Sequence, residues 1–168
     1  MMEGDSMDLK LSILSVLEKN AKTSVEDLAK MLGVDEKDIV IAVGELEADR
    51  VICGYNAIIN WDKVSNEKVA ALIEVKVAPQ RGVGFDKIGS RIARFDEVDS
   101  IYLLSGGYDF LIRIKGRSMK EVSQFVFDKL STLESVQSTA THFVLKKYKD
   151  HGVLMEERHE NERDNVIL

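Results

Sequence analysis

The feature that most constrains this chain is a change of period: apolar residues recur at helical spacing as far as Asp49 and at strict alternation from Ala71 onward. A helix buries a stripe every 3.6 residues and a strand buries every second residue, so the two halves cannot share one architecture. In the first half Leu9, Ile13, Val16 and Leu17 make one stripe, and Val25, Leu28, Ala29 and Leu32 make a second. Thr23 or Ser24 offers a hydroxyl to cap the second helix, Gly33 follows its last apolar position, and Asp35 can cap a third helix carrying Ile39, Val43 and Leu46. Three helices therefore share one core over residues 8–61, preceded by a disordered stretch at residues 1–7. The β-prone runs at 51–53 and 56–60, separated by Gly54-Tyr55, predict a small hairpin, or wing, that ends this unit near Trp61.

Residues 62–68 are polar and read as a linker. Beyond them Ala71, Ile73, Val75 and Val77 face one way and Glu74 and Lys76 the other, a half-buried strand that Pro79 stops. Phe85, Ile88, Ile92 and Phe95 return to helical spacing. Strands follow at 98–105 and 108–115, joined by Gly106-Gly107, a signal for a tight hairpin with glycine at positive φ. A helix through Met119, Val122, Val126 and Leu130, with Ser118 as its cap, and a strand from Val136 to about Lys147 complete the order β-α-β-β-α-β. That order over 69–149 predicts an α+β, ferredoxin-like domain with both helices on one face of an antiparallel sheet. The other face, with Leu72, Leu111 and Val144, needs cover from a second subunit. The charged stretch 150–168 lacks a sustained period and is expected to be a flexible tail, with room for a short helix.

With 45% hydrophobic and 31% charged residues among 168, the composition is that of a globular protein. No apolar run approaches the roughly 20 residues of a membrane span, and residues 1–6 carry no signal segment, so a cytoplasmic protein with no membrane partner is expected. Cys53 is the single cysteine, and His142, His151 and His159 lack metal-ligand spacing. No nucleophile motif is present, so neither a catalytic nor a metal site is expected, and no cofactor. Arg81, beside Gly82 and Gly84, suits either an anionic group or a solvated loop. Those glycines do not complete a dinucleotide fingerprint, because Lys87 occupies the third glycine position.

Ala29, Gly33 and Ile39 have the spacing of a helix-turn-helix, in which a small residue, a turn glycine and a branched anchor let two helices cross closely. A plain three-helix packing motif would show the same residues. The third helix is acidic: from Glu36 to Asp49, Lys37 stands alone against Glu36, Asp38, Glu45, Glu47 and Asp49, a net charge of −4. The whole chain carries −6, whereas phosphate neutralisation normally supplies much of DNA affinity. The residues placed to meet DNA are Ser24 at the second helix and Lys37, Asp38, Ile41, Ala42 and Glu45 on the third.

From Met7 to Lys149 the chain resembles the Lrp/AsnC (feast/famine) family of transcription regulators. The segment Glu45-Leu46-Glu47-Ala48-Asp49-Arg50-Val51-Ile52-Cys53-Gly54-Tyr55-Asn56-Ala57-Ile58-Ile59-Asn60 is similar to the family's RLE…GVIxGYxAxxN, and Ser105-Gly106-Gly107-Tyr108-Asp109 to its SGxYD. Thr139 and Thr141 in the last strand lie near the family's threonines. The resemblance implies a winged helix-turn-helix that binds double-stranded DNA, joined to a domain that senses a small amino acid. It also implies dimers that pair through their sheets and assemble further, commonly to octamers. By position, Ser105, Gly106, Gly107, Tyr108 and Asp109 would line the effector site, with Thr139, Thr141 and His142 nearby. Asp109 could take an ammonium group and the glycine N–H groups a carboxylate; a tight hairpin would favour the same residues. The chain departs from the family at Ala42, Gly44 and Glu45, where arginines are usual, and at Arg50, where glycine is usual. Those departures keep a second expectation open, a ligand-sensing oligomeric interaction protein with weak or lost DNA binding.

Overall fold

In this computed structural model residues 2–64, 69–78, 84–116 and 118–155 are described. The chain divides into two units, Met1–Ala57 and Ile58–Leu168.

The first unit holds α1 (Met2–Lys19), α2 (Val25–Leu32) and α3 (Glu36–Ala48). Ile13, Leu28, Ile39, Ala42 and Leu46 are buried together, joined by the inner faces of Leu9, Val16 and Leu17. The stretch 1–7, expected to be disordered, is helical from Met2. Once the turn at Leu9 and Ile13 is packed, each further residue adds one backbone bond, and no proline opposes propagation toward the N-terminus. Ser24 caps α2, its Oγ accepting from the Asp27 N–H at 3.1 Å. Gly33, at φ 68°, reverses the chain as the N–H groups of Gly33 and Val34 both donate to the Ala29 carbonyl.

Arg50 ends α3 in the left-handed region, at φ 57°, while the N–H groups of Val51 and Ile52 donate to the Leu46 carbonyl at 2.9 and 3.0 Å. The wing expected at 51–60 contains no strand. Two of its donors are spent on capping α3, and a two-stranded ribbon by itself is marginal in water.

In the second unit β1 (Val69–Val77), α4 (Phe85–Ile92), β2 (Val98–Leu103), β3 (Phe110–Gly116), α5 (Met119–Phe125) and β4 (Val136–Phe143) run in the order β-α-β-β-α-β. The sheet order is β2-β3-β1-β4 with every neighbouring pair antiparallel, the ferredoxin-like arrangement. Ala71, Ile73, Val75, Phe110, Ile112 and Ile114 form the sheet side of the core, against Ile88, Ile92, Val122, Phe125 and Leu130. The helical run after α5 is π-wound over Val126–Leu130, which buries Leu130 and leaves Phe127 77% exposed. The last strand stops at Phe143, four residues short of expectation, although the Val144 N–H still donates to the Ala70 carbonyl at 2.9 Å.

The tail expected from residue 150 begins instead with a hairpin, β5 (Lys149–Asp150) and β6 (Val153–Leu154). His151 at φ 44° and Gly152 at φ 82° make its two-residue turn, the pair of positive φ values that matches the twist of a hairpin. Met155 is then buried, its N–H donating to the Tyr148 carbonyl and its own carbonyl accepting from Asn60 Nδ2 at 2.7 Å. Asn60 thus belongs with the second unit, as does Trp61, which was expected to end the first, and Trp61–Lys63 forms a 3-10 turn that runs into the expected linker. Pro79 and Arg81 lie outside the described residues.

Candidate functional site

The turn at Gly33 sets α2 and α3 as a helix-turn-helix, with α3 in the recognition position. The outward face of α3 carries Lys37, Val40, Ile41, Gly44 and Ala48, all exposed. Ala42, expected among the DNA contacts, is 5% exposed and packs in the core with Ile39 and Leu46, on the opposite side of the helix. Glu45 is exposed but ion-paired to Lys10 of α1 at 2.7 Å, and Glu47 accepts from the Tyr55 hydroxyl at 2.8 Å, which raises the Tyr55 pKa. Ser24 uses its hydroxyl locally, donating to Asp27 Oδ2 at 2.7 Å as well as capping α2. Val40 was missed from sequence, although its angle relative to Ile39 and Leu46 places it outward. Beside α3 a cleft of about 590 Å³ is lined by Ser6, Asp8, Leu9 and Ser12 of α1 and by Asp38 and Ile41 of α3.

In the second unit, loop 104–109 is closed by the Leu104 N–H donating to the Asp109 carbonyl at 2.8 Å. Ser105, Gly106 and Gly107 are exposed, Tyr108 half-buried. Neither glycine has the positive φ expected of it, and a Cβ at either would meet nothing within 4 Å. Backbone geometry and internal packing therefore leave both positions open to larger residues. Asp109 is partly spent: its Oδ2 accepts from the Val77 N–H at 2.8 Å, stitching the loop to the end of β1. An incoming ammonium would have to use the other carboxylate oxygen.

Strand register sorts the remaining candidates. Thr139 and Phe110 both pair with Val75, and Thr141 pairs with Ile73, so both threonines lie on the helix-covered face, with Thr139 level with the loop. Two strand spacings, roughly 10 Å, separate β4 from β3. His142 pairs with Leu72 and lies on the opposite face, its Nε2 3.4 Å from Glu74 Oε1. Within one chain Thr139 shares a face and a level with the loop but stands across β1 from it, and His142 lies on the other face.

That opposite face carries a charged network. Asp99 meets Arg113 Nη2 at 2.6 Å and Lys115 Nζ at 2.5 Å, and Asp150 meets His151 Nδ1 at 2.9 Å, Lys147 at 3.2 Å and Arg113 at 3.8 Å. For Asp99 and Asp150 burial is the largest single influence and raises the pKa, but their basic partners together outweigh it and both carboxyls sit below the usual range. Among the described residues no group of three or more His, Cys, Asp or Glu could hold a metal ion, and no helix is long and apolar enough to cross a membrane.

The chain thus joins a helix-turn-helix unit to a ferredoxin-like domain with an open loop at one sheet end. Residues 70–154 match the Lrp/AsnC ligand binding domain. The chain is 49% identical over 152 residues to the uncharacterized HTH-type transcriptional regulator YugG of Bacillus subtilis, covering 90% of this chain and 92% of that one. Among solved structures, E. coli AsnC superposes with a TM-score of 0.63 at 25% identity, covering 83% of this chain and 92% of that one. A Neisseria meningitidis transcriptional regulator in complex with L-Met superposes with a TM-score of 0.66 at 25% identity, covering 84% and 91%. The protein is a transcriptional regulator and belongs to the Lrp/AsnC family.

Proposed function

We propose that this regulator binds double-stranded DNA as an oligomer through its helix-turn-helix and responds to a small amino acid held by the second unit. On this reading the first unit is the DNA-binding domain, the second the sensing and assembly domain, and the protein works in the cytoplasm. Ser105, Gly106, Gly107, Tyr108 and Asp109 form the effector site, with Thr139 and Thr141 at its side. The observation that carries it is the pair of open glycines at 106 and 107, whose small size nothing among the described residues requires. A ligand or a neighbouring subunit that closes on the loop supplies the requirement, and the L-Met complex of the Neisseria regulator supports an amino acid as the class of effector. Exposed Tyr102, Leu103 and Leu104 beside the loop and Leu145 at the end of β4 favour assembly of dimers into a higher oligomer such as an octamer. Effector binding would then shift an equilibrium between assemblies that differ in DNA affinity.

The test is fluorescence polarisation of the full-length protein on a duplex from its own promoter region, across a salt series and with each of the twenty amino acids. Salt-sensitive binding that one class of amino acid changes is expected. Absence of binding at low salt would reject the DNA-binding half of the proposal. It would favour the second reading, a ligand-sensing interaction protein, which the −4 charge from Glu36 to Asp49 motivates.

A further inference from the structure

Resting on the reading that α3 enters DNA, we infer that Val40 and Ile41 read thymine C5-methyl groups in the major groove, so that sequence recognition by this helix is apolar. At 100° per residue, Lys37, Val40, Ile41, Gly44 and Ala48 fall within one outward stripe centred opposite the core residues Ile39, Ala42 and Leu46. Val40 is 56% and Ile41 60% exposed, although the unit has a core available for aliphatic side chains. The carboxylates lie on the flanks, where Glu45 is drawn aside to Lys10 and Glu47 to the Tyr55 hydroxyl. The centre of the stripe is left without negative charge.

The chemistry of base edges then narrows the readout. Bidentate recognition of guanine needs Arg or Lys and of adenine Asn or Gln, whereas the thymine methyl is met by apolar contact. From Glu36 to Ala48 there is no Arg, Asn or Gln, and Lys37 is the lone donor of that kind, placed in the first turn. Val40 and Ile41 occupy the next turn. Gly44 follows, where a Cβ would meet nothing within 4 Å of the protein itself, and Ala48 comes one turn later. Two small residues beyond two aliphatic ones let the helix backbone approach base edges closely enough for methyl contact.

The experiment selects binding duplexes from a random pool with the full-length protein, then remakes the selected duplex with deoxyuridine for each thymidine, which removes the methyl and keeps every hydrogen-bonding group. Burying one methyl is worth about fourfold in affinity, so loss at two positions should weaken wild-type binding by roughly fifteenfold. The double variant Val40→Ala, Ile41→Ala alters only exposed side chains and should keep its thermal midpoint while binding thymidine and deoxyuridine duplexes alike. Equal wild-type affinity for both duplexes overturns the inference. So does a double variant that still discriminates, since the methyls would then be read elsewhere. Failure to select any duplex is a separate result and rejects the DNA-binding reading on which the inference rests.

Discussion

The Asp109 carboxylate accepts a hydrogen bond from the Val77 backbone N–H at 2.8 Å, while the Asp109 N–H donates to the Val75 carbonyl at 3.0 Å. The residue assigned by sequence to an effector thus also fastens the loop to the last turn of pairing on β1, where the register with β4 slips between Lys76 and Val77.

Those two roles separate by mutation. Asp109→Ala strands a partly buried N–H and should cost about 1–3 kcal/mol in urea unfolding. Asp109→Asn keeps an acceptor oxygen and should unfold near the wild-type midpoint, yet lose the thermal shift given by the effector amino acid because the ammonium no longer meets a charge. If Asp109→Asn keeps the full shift, the ammonium is held by another group.

One position within α3 and one just past its end are locally unfavourable. Arg50 sits at φ 57°, a region that glycine enters freely, and Gly44 lies in a helix interior with open space around it. Arg50→Gly should stabilise the first unit by about 1 kcal/mol, and Gly44→Ala by roughly 0.5–1 kcal/mol. Calorimetric midpoints should rise for each, and a fall at Arg50→Gly would show that its side chain contributes more than its backbone costs.

Met155 anchors the C-terminal hairpin at 9% exposure. Met155→Ala should destabilise the second unit by about 2–5 kcal/mol and speed amide exchange at Asn60 and Tyr148. Unchanged exchange at both would mean the hairpin packs without it.

Acid should unfold the second unit before burial is otherwise challenged. Glu97 is held below its ordinary pKa of 4.5 chiefly by the hydrogen bond from Lys129, and Asp99 and Asp150 below 3.8 by their basic partners. Because folding depresses these values, their stabilisation is present above the ordinary values and drains away as pH falls through the depressed ones. The thermal midpoint should decline below about pH 5, and Asp99→Asn should flatten that decline. A midpoint that holds constant to pH 3 would rule the network out as a source of stability.

Element order was readable because it is written in local spacing: the alternation at Ala71–Val77 and the 3.6 period within Val25–Leu32 and again within Glu36–Ala48 need no knowledge of distant partners. Boundaries were less readable where an unusual backbone decides them. The His151-Gly152 turn resembles no strong hairpin signal, and Arg50 occupies a left-handed position that a glycine would have announced.

The site residues divide along the same line. Sequence alone determined that the loop 105–109 joins two strands, that α3 is acidic, and that both units match one family, since charge, period and motif are properties of the chain itself. Tertiary structure decided that Ala42 is core and Val40 is surface, that Thr139 and Thr141 face the helices while His142 faces away, and that one oxygen of Asp109 is already taken. Each of those depends on register or rotation, where a shift of one residue in a strand moves a side chain to the opposite face and one step around a helix moves it by 100°. Only the packed core chooses among them, because it alone sets which apolar face is turned inward.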